Sequence, residues 1–139
     1  MLVSISKENY EEIVKHARKE FPLECCGLIS GIINDGKYLI KDIYNLYNVD
    51  QSSEHFSMDP KEQLATIKKI RKKGYVLLGN YHSHPYTPSR PSDEDIRLAY
   101  DEELIYGIVS LEKKEPVLNF FKINQSKQIE KLELEIVNE

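Results

Sequence analysis

Cysteine is scarce in this chain, and the only two, Cys25 and Cys26, are neighbours. Adjacent residues do not form an ordinary stapling disulfide, and neither has another cysteine to pair with. A disulfide-braced secreted scaffold is therefore excluded, and a reducing cytoplasm fits best. A basic excess is also missing. With 19 Lys and Arg against 23 Asp and Glu, the net charge of −4 supplies no clustered basic face for nucleic acid. The one local run, Lys68-Lys69-Ile70-Arg71-Lys72-Lys73, ends a predicted helix, where cations suit the macrodipole. No apolar run approaches the roughly 20 residues of a membrane span. The start, Met1-Leu2-Val3-Ser4-Ile5-Ser6-Lys7, has neither the charged lead-in nor the long apolar stretch of a signal peptide.

What is present describes an ordinary globular protein. Its 139 residues suit one domain over 1–139, enough to bury roughly two-thirds of the unfolded surface. Leu2, Val3 and Ile5 read as a strand, and Ser6 as the N-cap of a helix over 7–20. Tyr10, Ile13, Val14 and Ala17 form its buried stripe, with His16 off the stripe and facing solvent. Pro22 closes the region. The run from Leu23 to Ile33 reads as a largely buried strand, and Asp35-Gly36 as a tight turn into a partner strand from Tyr38 towards Tyr44. Glu24 stands at the mouth of the buried strand, an unusual place for a carboxylate without a partner. A polar loop spans Asn45 to Glu54, followed by His55, read as a loop histidine rather than a ligand.

Asp59-Pro60-Lys61-Glu62 starts a helix carried by Leu64, Ile67 and Ile70 or Arg71 and ended at Lys73-Gly74. Tyr75 to Tyr81 is a second buried strand, running directly into His82-Ser83-His84. Pro85, Pro88 and Pro91 stiffen the loop after it, and Ser92 opens a helix to about Asp101. Strands over Glu103–Ser110 and Val117–Phe121 follow. From Ile129 the tail alternates as a half-exposed edge strand, with Leu132, Leu134 and Ile136 on one face.

Side chains two apart on a strand share a face, so His82 and His84 converge while Ser83 points away. Asp95, on the first turn after Ser92, offers a third ligand for zinc, whose catalytic sites keep a fourth position for water. Two readings stand on spacing alone. One is a metal site; the other is a strand edge followed by a Ser-x-x-Asp capping box. Asp93 and Glu94 read as solvent-facing, and Cys25 and Cys26 as packing residues rather than nucleophiles.

The pattern Pro22-x-Glu24-x-Cys26-Gly27-Leu28, then His82-x-His84-Pro85, six residues, and Ser92-x-x-Asp95 resembles the JAMM (MPN-plus) metallopeptidase signature. The resemblance covers essentially the whole chain and fits the compact stand-alone prokaryotic type. It implies a mixed α+β fold, a central curved, mostly antiparallel sheet flanked by helices with cytidine-deaminase-like layering. It also implies one Zn2+ per chain on His82, His84 and Asp95, Glu24 as catalytic acid–base, and Ser92 as oxyanion donor. The implied substrate is the C-terminal tail of a ubiquitin-like or sulfur-carrier protein, cut at an amino-acid adduct such as cysteine or at an isopeptide bond. An extended tail suits strand addition, with the Asn45–Glu54 and Pro85–Pro91 loops as candidate contacts. Zinc deaminases fit less well, because Cys25-Cys26 lacks their Pro-Cys-x-x-Cys spacing. The alternatives are a non-catalytic MPN-type scaffold that binds protein partners, and a structural zinc closed by His55.

Overall fold

A computed structural model describes residues 1–138. Strand β1 is Leu2–Ser6 and helix α1 is Lys7–Glu20, capped where the Ser6 hydroxyl accepts the Asn9 N–H at 3.0 Å. Strands β2 (Cys26–Asn34) and β3 (Lys37–Leu46) form an antiparallel hairpin. Asp35 and Gly36 close it at φ 49° and 75°, the two left-handed positions a type I′ turn requires. Helix α2 (Pro60–Lys72) is capped by Asp59 and leads to β4 (Val76–His84). A short α3 (Asp93–Arg97) follows, then β5 (Ile105–Ser110), β6 (Val117–Ile123), β7 (Ile129–Lys131) and β8 (Glu133–Val137).

The strands form one sheet in the order β7-β6-β5-β4-β2-β3-β1-β8. Parallel pairs are β1 with β3, β1 with β8, and β4 with β5; the other pairings are antiparallel. The expected mixed α+β architecture is therefore present. Strands β7 and β8 lie at opposite ends of this order although only Leu132 separates them in sequence. The sheet must curl until its two edges nearly meet. Leu132 is buried at the seam, where its N–H donates to Phe120 O at 2.9 Å and the Glu133 N–H reaches Met1 O at 3.3 Å. The tail is thus not the single edge strand expected from Ile129. It breaks at Leu132 and serves both edges, and burial fades from Leu132 to Ile136.

Alternation along the central strands sorts side chains onto two faces. Ile29, Leu78, Tyr81 and Cys25 join Ile13, Val14 and Ala17 of α1 in the main core. Leu28, Cys26 and Leu46 turn to the other face, where Phe56, Met58 and Ile67 pack over a much smaller cluster. His82 and His84 alternate with Tyr81 and Ser83, which puts them on this thinly covered side.

Three expectations are corrected. His16 is 8 % exposed, not solvent-facing, because its Nδ1 meets the buried Tyr81 hydroxyl at 2.7 Å. That hydroxyl gives its own proton to Asn45 Oδ1 at 2.6 Å, so His16 Nδ1–H is the donor. Leu64 is exposed, and Thr66 and Ile70 are the residues α2 buries. Helix α3 stops at Arg97 rather than near Asp101. Ala99 is drawn into the protein, and its carbonyl accepts from the Lys127 ammonium at 3.0 Å instead of continuing a helical ladder. No helix among the described residues is long and apolar enough to cross a membrane.

Candidate active site

Strand β4 carries His82 and His84 to its C-terminal end, 2 % and 4 % exposed. The Pro85–Pro91 loop then returns the chain past them. It is tied down by Ser89 Oγ, which donates to Ile108 O at 2.6 Å, and by Asn119 Nδ2, which reaches Ser89 O at 3.2 Å. Ser92 caps α3. Its hydroxyl oxygen accepts the Asp95 N–H at 3.1 Å while its own N–H donates to Asp95 Oδ2 at 2.9 Å. The capping box so expected is real, and it aims the Asp95 carboxylate back at the strand end.

The result is a near-equilateral triangle. His82 Nε2, His84 Nε2 and Asp95 Oδ2 are each 3.1 Å from the other two. Tetrahedral zinc with nitrogen or oxygen ligands at its usual bond lengths separates them by roughly 3.3 Å. His84 Nδ1 lies 2.8 Å from Pro88 O, a contact that needs the ring proton on Nδ1 and leaves Nε2 bare in the neutral ring. Bare lone pairs and a carboxylate oxygen at this separation repel unless a cation or a shared proton lies among them. The donor set therefore fits a metal, and it is the group of the described residues able to hold one. Burial works against the Asp95 carboxylate, yet the His82 and His84 imidazoles beside it hold it well below the usual carboxylate range, in the ionised form that a ligand needs. Burial opposes a charged His84, but Asp95, the Pro88 carbonyl and Glu24 together outweigh it and raise the imidazole.

Glu24 is buried, 5 % exposed, just before β2. Cys26 pairs with His82 and the Ser83 N–H donates to Cys25 O at 3.0 Å, so Glu24 lies one position further on, alongside His84. Burial pushes its carboxyl up to about 8, opposed by His84 and reinforced by Asp95 and Glu94. Ser92 is exposed, and its hydroxyl lone pair serves the cap while its proton stays free to donate. The structure thus brings all five expected site residues to one strand end.

Other residues divide. Cys25 and Cys26 are buried, free thiols that burial pushes up to about 12, consistent with packing roles. His55 stays outside the triangle. It pairs instead with Glu94, Nδ1 to Oε1 at 2.7 Å, so Glu94 is not simply solvent-facing as expected; Asp93 is exposed. The sequence reading missed Phe56, whose ring stacks on His82 with centroids 4.6 Å apart. It also missed the Pro88 carbonyl behind His84. A cavity of about 370 Å³ opens beside the triangle, with Phe56, Met58, His82, Asp95, Tyr100 and Tyr106 in its walls.

Comparison with known proteins bears on the family and the fold. A CysO-cysteine peptidase of Mycobacterium tuberculosis is 31% identical over 98 residues, 70% of this chain and 66% of that protein. A probable TtuB-protein conjugate cleaving protease of Thermus thermophilus is 34% identical over 90 residues, 64% of this chain and 57% of that protein. The match thus spans less than two thirds of either relative's length. A solution structure of a Desulfitobacterium hafniense protein superposes with TM-score 0.90 at 45% identity, covering 100% of this chain and 94% of the other. A JAB1/MPN domain protein from Archaeoglobus fulgidus shares the fold at TM-score 0.63 and 22% identity, covering 99% and 100% of the two chains. Residues 6–124 match the family model of prokaryotic homologs of the JAB domain, and the chain belongs to that family.

Proposed function

We propose that the protein is a zinc-dependent hydrolase that cuts a peptide or isopeptide bond at the C-terminal tail of a ubiquitin-like or sulfur-carrier protein. The observation that carries this is the 3.1 Å triangle of His82, His84 and Asp95 at a strand end shared with the buried Glu24. His82, His84 and Asp95 are the residues that would hold the metal. When bound, zinc lowers the pKa of a coordinated water towards about 7 and polarises a carbonyl.

The chain's own groups do the rest. The Glu24 carboxylate takes the proton of the attacking water and later delivers it to the leaving amine. Its buried setting favours holding that proton, and positive charge at the triangle favours releasing it. The Ser92 hydroxyl, fixed by its cap, donates to the oxygen that gains charge during attack. Phe56 and the Pro88 carbonyl keep the two imidazoles in place. Relatives named for CysO–cysteine and TtuB–protein conjugates support a sulfur-carrier tail as substrate.

The test is a cleavage screen. Ubiquitin-like proteins of the same genome, extended by cysteine, by a peptide or by an isopeptide-linked lysine, are incubated with protein of measured zinc content. At least one is expected to be cut, with activity lost on chelation and restored by zinc. Full zinc occupancy without any cleavage would instead mark a partner-binding scaffold.

A further inference from the structure

Asn48 is 4 % exposed, and its side-chain amide uses all four of its hydrogen-bonding positions. Nδ2 donates to the carbonyl oxygens of Glu24 at 3.0 Å and His55 at 2.9 Å. Oδ1 accepts the N–H groups of Asp50 at 3.0 Å and Ser57 at 3.2 Å. Two carbonyls face one end and two N–H groups the other, so the amide has only one workable orientation. Three of these contacts fold the 48–57 loop on itself. The fourth leaves the loop and reaches Glu24. The Glu24 N–H also ends in this loop, on Ser52 O at 2.8 Å. The Glu24 N–H and C=O thus both end in this loop, while the Cys25 N–H in the following peptide group is held from β4 by Ser83 Oγ at 2.7 Å.

We propose that Asn48 is a positioning residue for Glu24, acting through the Glu24 carbonyl, an assignment that rests on the reading of Glu24 as the acid–base group. A carboxylate transfers a proton only within hydrogen-bond reach, and misplacement of about 1 Å costs roughly a hundredfold. The same loop lays Phe56 on His82, so one buried amide sets both the base and the cover of a neighbouring imidazole.

The experiment compares Asn48→Ser with Glu62→Ala, which cuts the Tyr47 N–H to Glu62 Oε1 bond beside the same loop without touching Glu24. Asn48→Ser is expected to lower kcat about ten- to a hundredfold with KM and zinc content near wild type, while Glu62→Ala leaves kcat unchanged. Asn48→Asp keeps the side-chain size and both acceptor contacts, and stands in if the serine variant does not fold. The deciding readout is single-turnover cleavage in a Glu24→Gln background. There Asn48→Ser should cost nothing further, because the group it positions is gone. An equal loss in that background, or an unchanged kcat in the single variant, would overturn the assignment. If Glu24→Gln is itself as active as wild type, the base reading fails and this role fails with it. If Glu24→Gln is impaired and Asn48→Ser is not, this role alone fails.

Discussion

Ser92 and Asp95 hold each other twice, Ser92 N–H to Asp95 Oδ2 at 2.9 Å and Asp95 N–H to Ser92 Oγ at 3.1 Å. The same Asp95 oxygen lies 3.1 Å from the Nε2 atoms of His82 and His84. A helix cap and a three-residue cluster therefore share one atom. The capping reading of this motif is met, and the same carboxylate oxygen completes the cluster that could hold a metal.

Asp95→Asn replaces that shared anion with a neutral amide. Zinc content should fall from stoichiometric to well below it after dialysis against low free zinc, as read by metal analysis. Thermal stability without metal should change by only about 1 kcal/mol, the usual worth of a cap. Retained stoichiometric zinc would place the metal elsewhere.

The observed cap role of Ser92 and its proposed oxyanion role separate by substitution. Glycine at an N-cap costs only a few tenths of a kcal/mol relative to serine, yet it removes the hydroxyl entirely. Ser92→Gly should therefore melt close to wild type while kcat drops about a hundredfold, the usual scale for losing one oxyanion donor. Ser92→Thr should recover most of the rate. Equal rates for the glycine variant and wild type would leave Ser92 as a cap alone.

His16 makes stability depend on pH. Burial lowers its pKa from 6.5, although Glu20 acts in the opposite sense. The unfolded chain then binds the proton more readily than the folded one. The stabilising contribution is complete above pH 6.5 and is lost as pH falls from there through the folded value. His16→Asn keeps a donor for Tyr81 without titrating in this range. Denaturant midpoints of the variant should fall less steeply below pH 6.5 than those of wild type.

The cysteines should be silent in catalysis. Thiols pushed up to about 12 by burial hold almost no thiolate at neutral pH. Iodoacetamide should leave the folded protein unmodified, and a Cys25→Ala variant should keep its kcat. Loss of activity on alkylation of the native protein would contradict this.

Much of the candidate site was legible because its parts obey local rules. Strand alternation put His82 and His84 on one face, and cap chemistry placed Asp95 behind Ser92. Glu24 stood out as a carboxylate beginning an apolar strand. What stayed hidden depends on partners far along the chain. His16 is buried because of Tyr81, 65 residues away, and no periodicity within α1 announces that. The tail breaks at Leu132 because the sheet curls far enough to need strands at both edges, a property of the closed sheet and not of the alternating tail. Glu94 meets His55 across 39 residues, and Asn48 looks like any polar loop residue until Glu24 is seen behind it.

Glu24→Gln is an isosteric change that removes the proton acceptor and leaves the triangle untouched. The variant should fold, hold zinc like wild type and cleave its tail substrate about a hundred- to ten-thousandfold more slowly. A zinc-loaded Glu24→Gln protein that cleaves at the wild-type rate would contradict the acid–base role of Glu24.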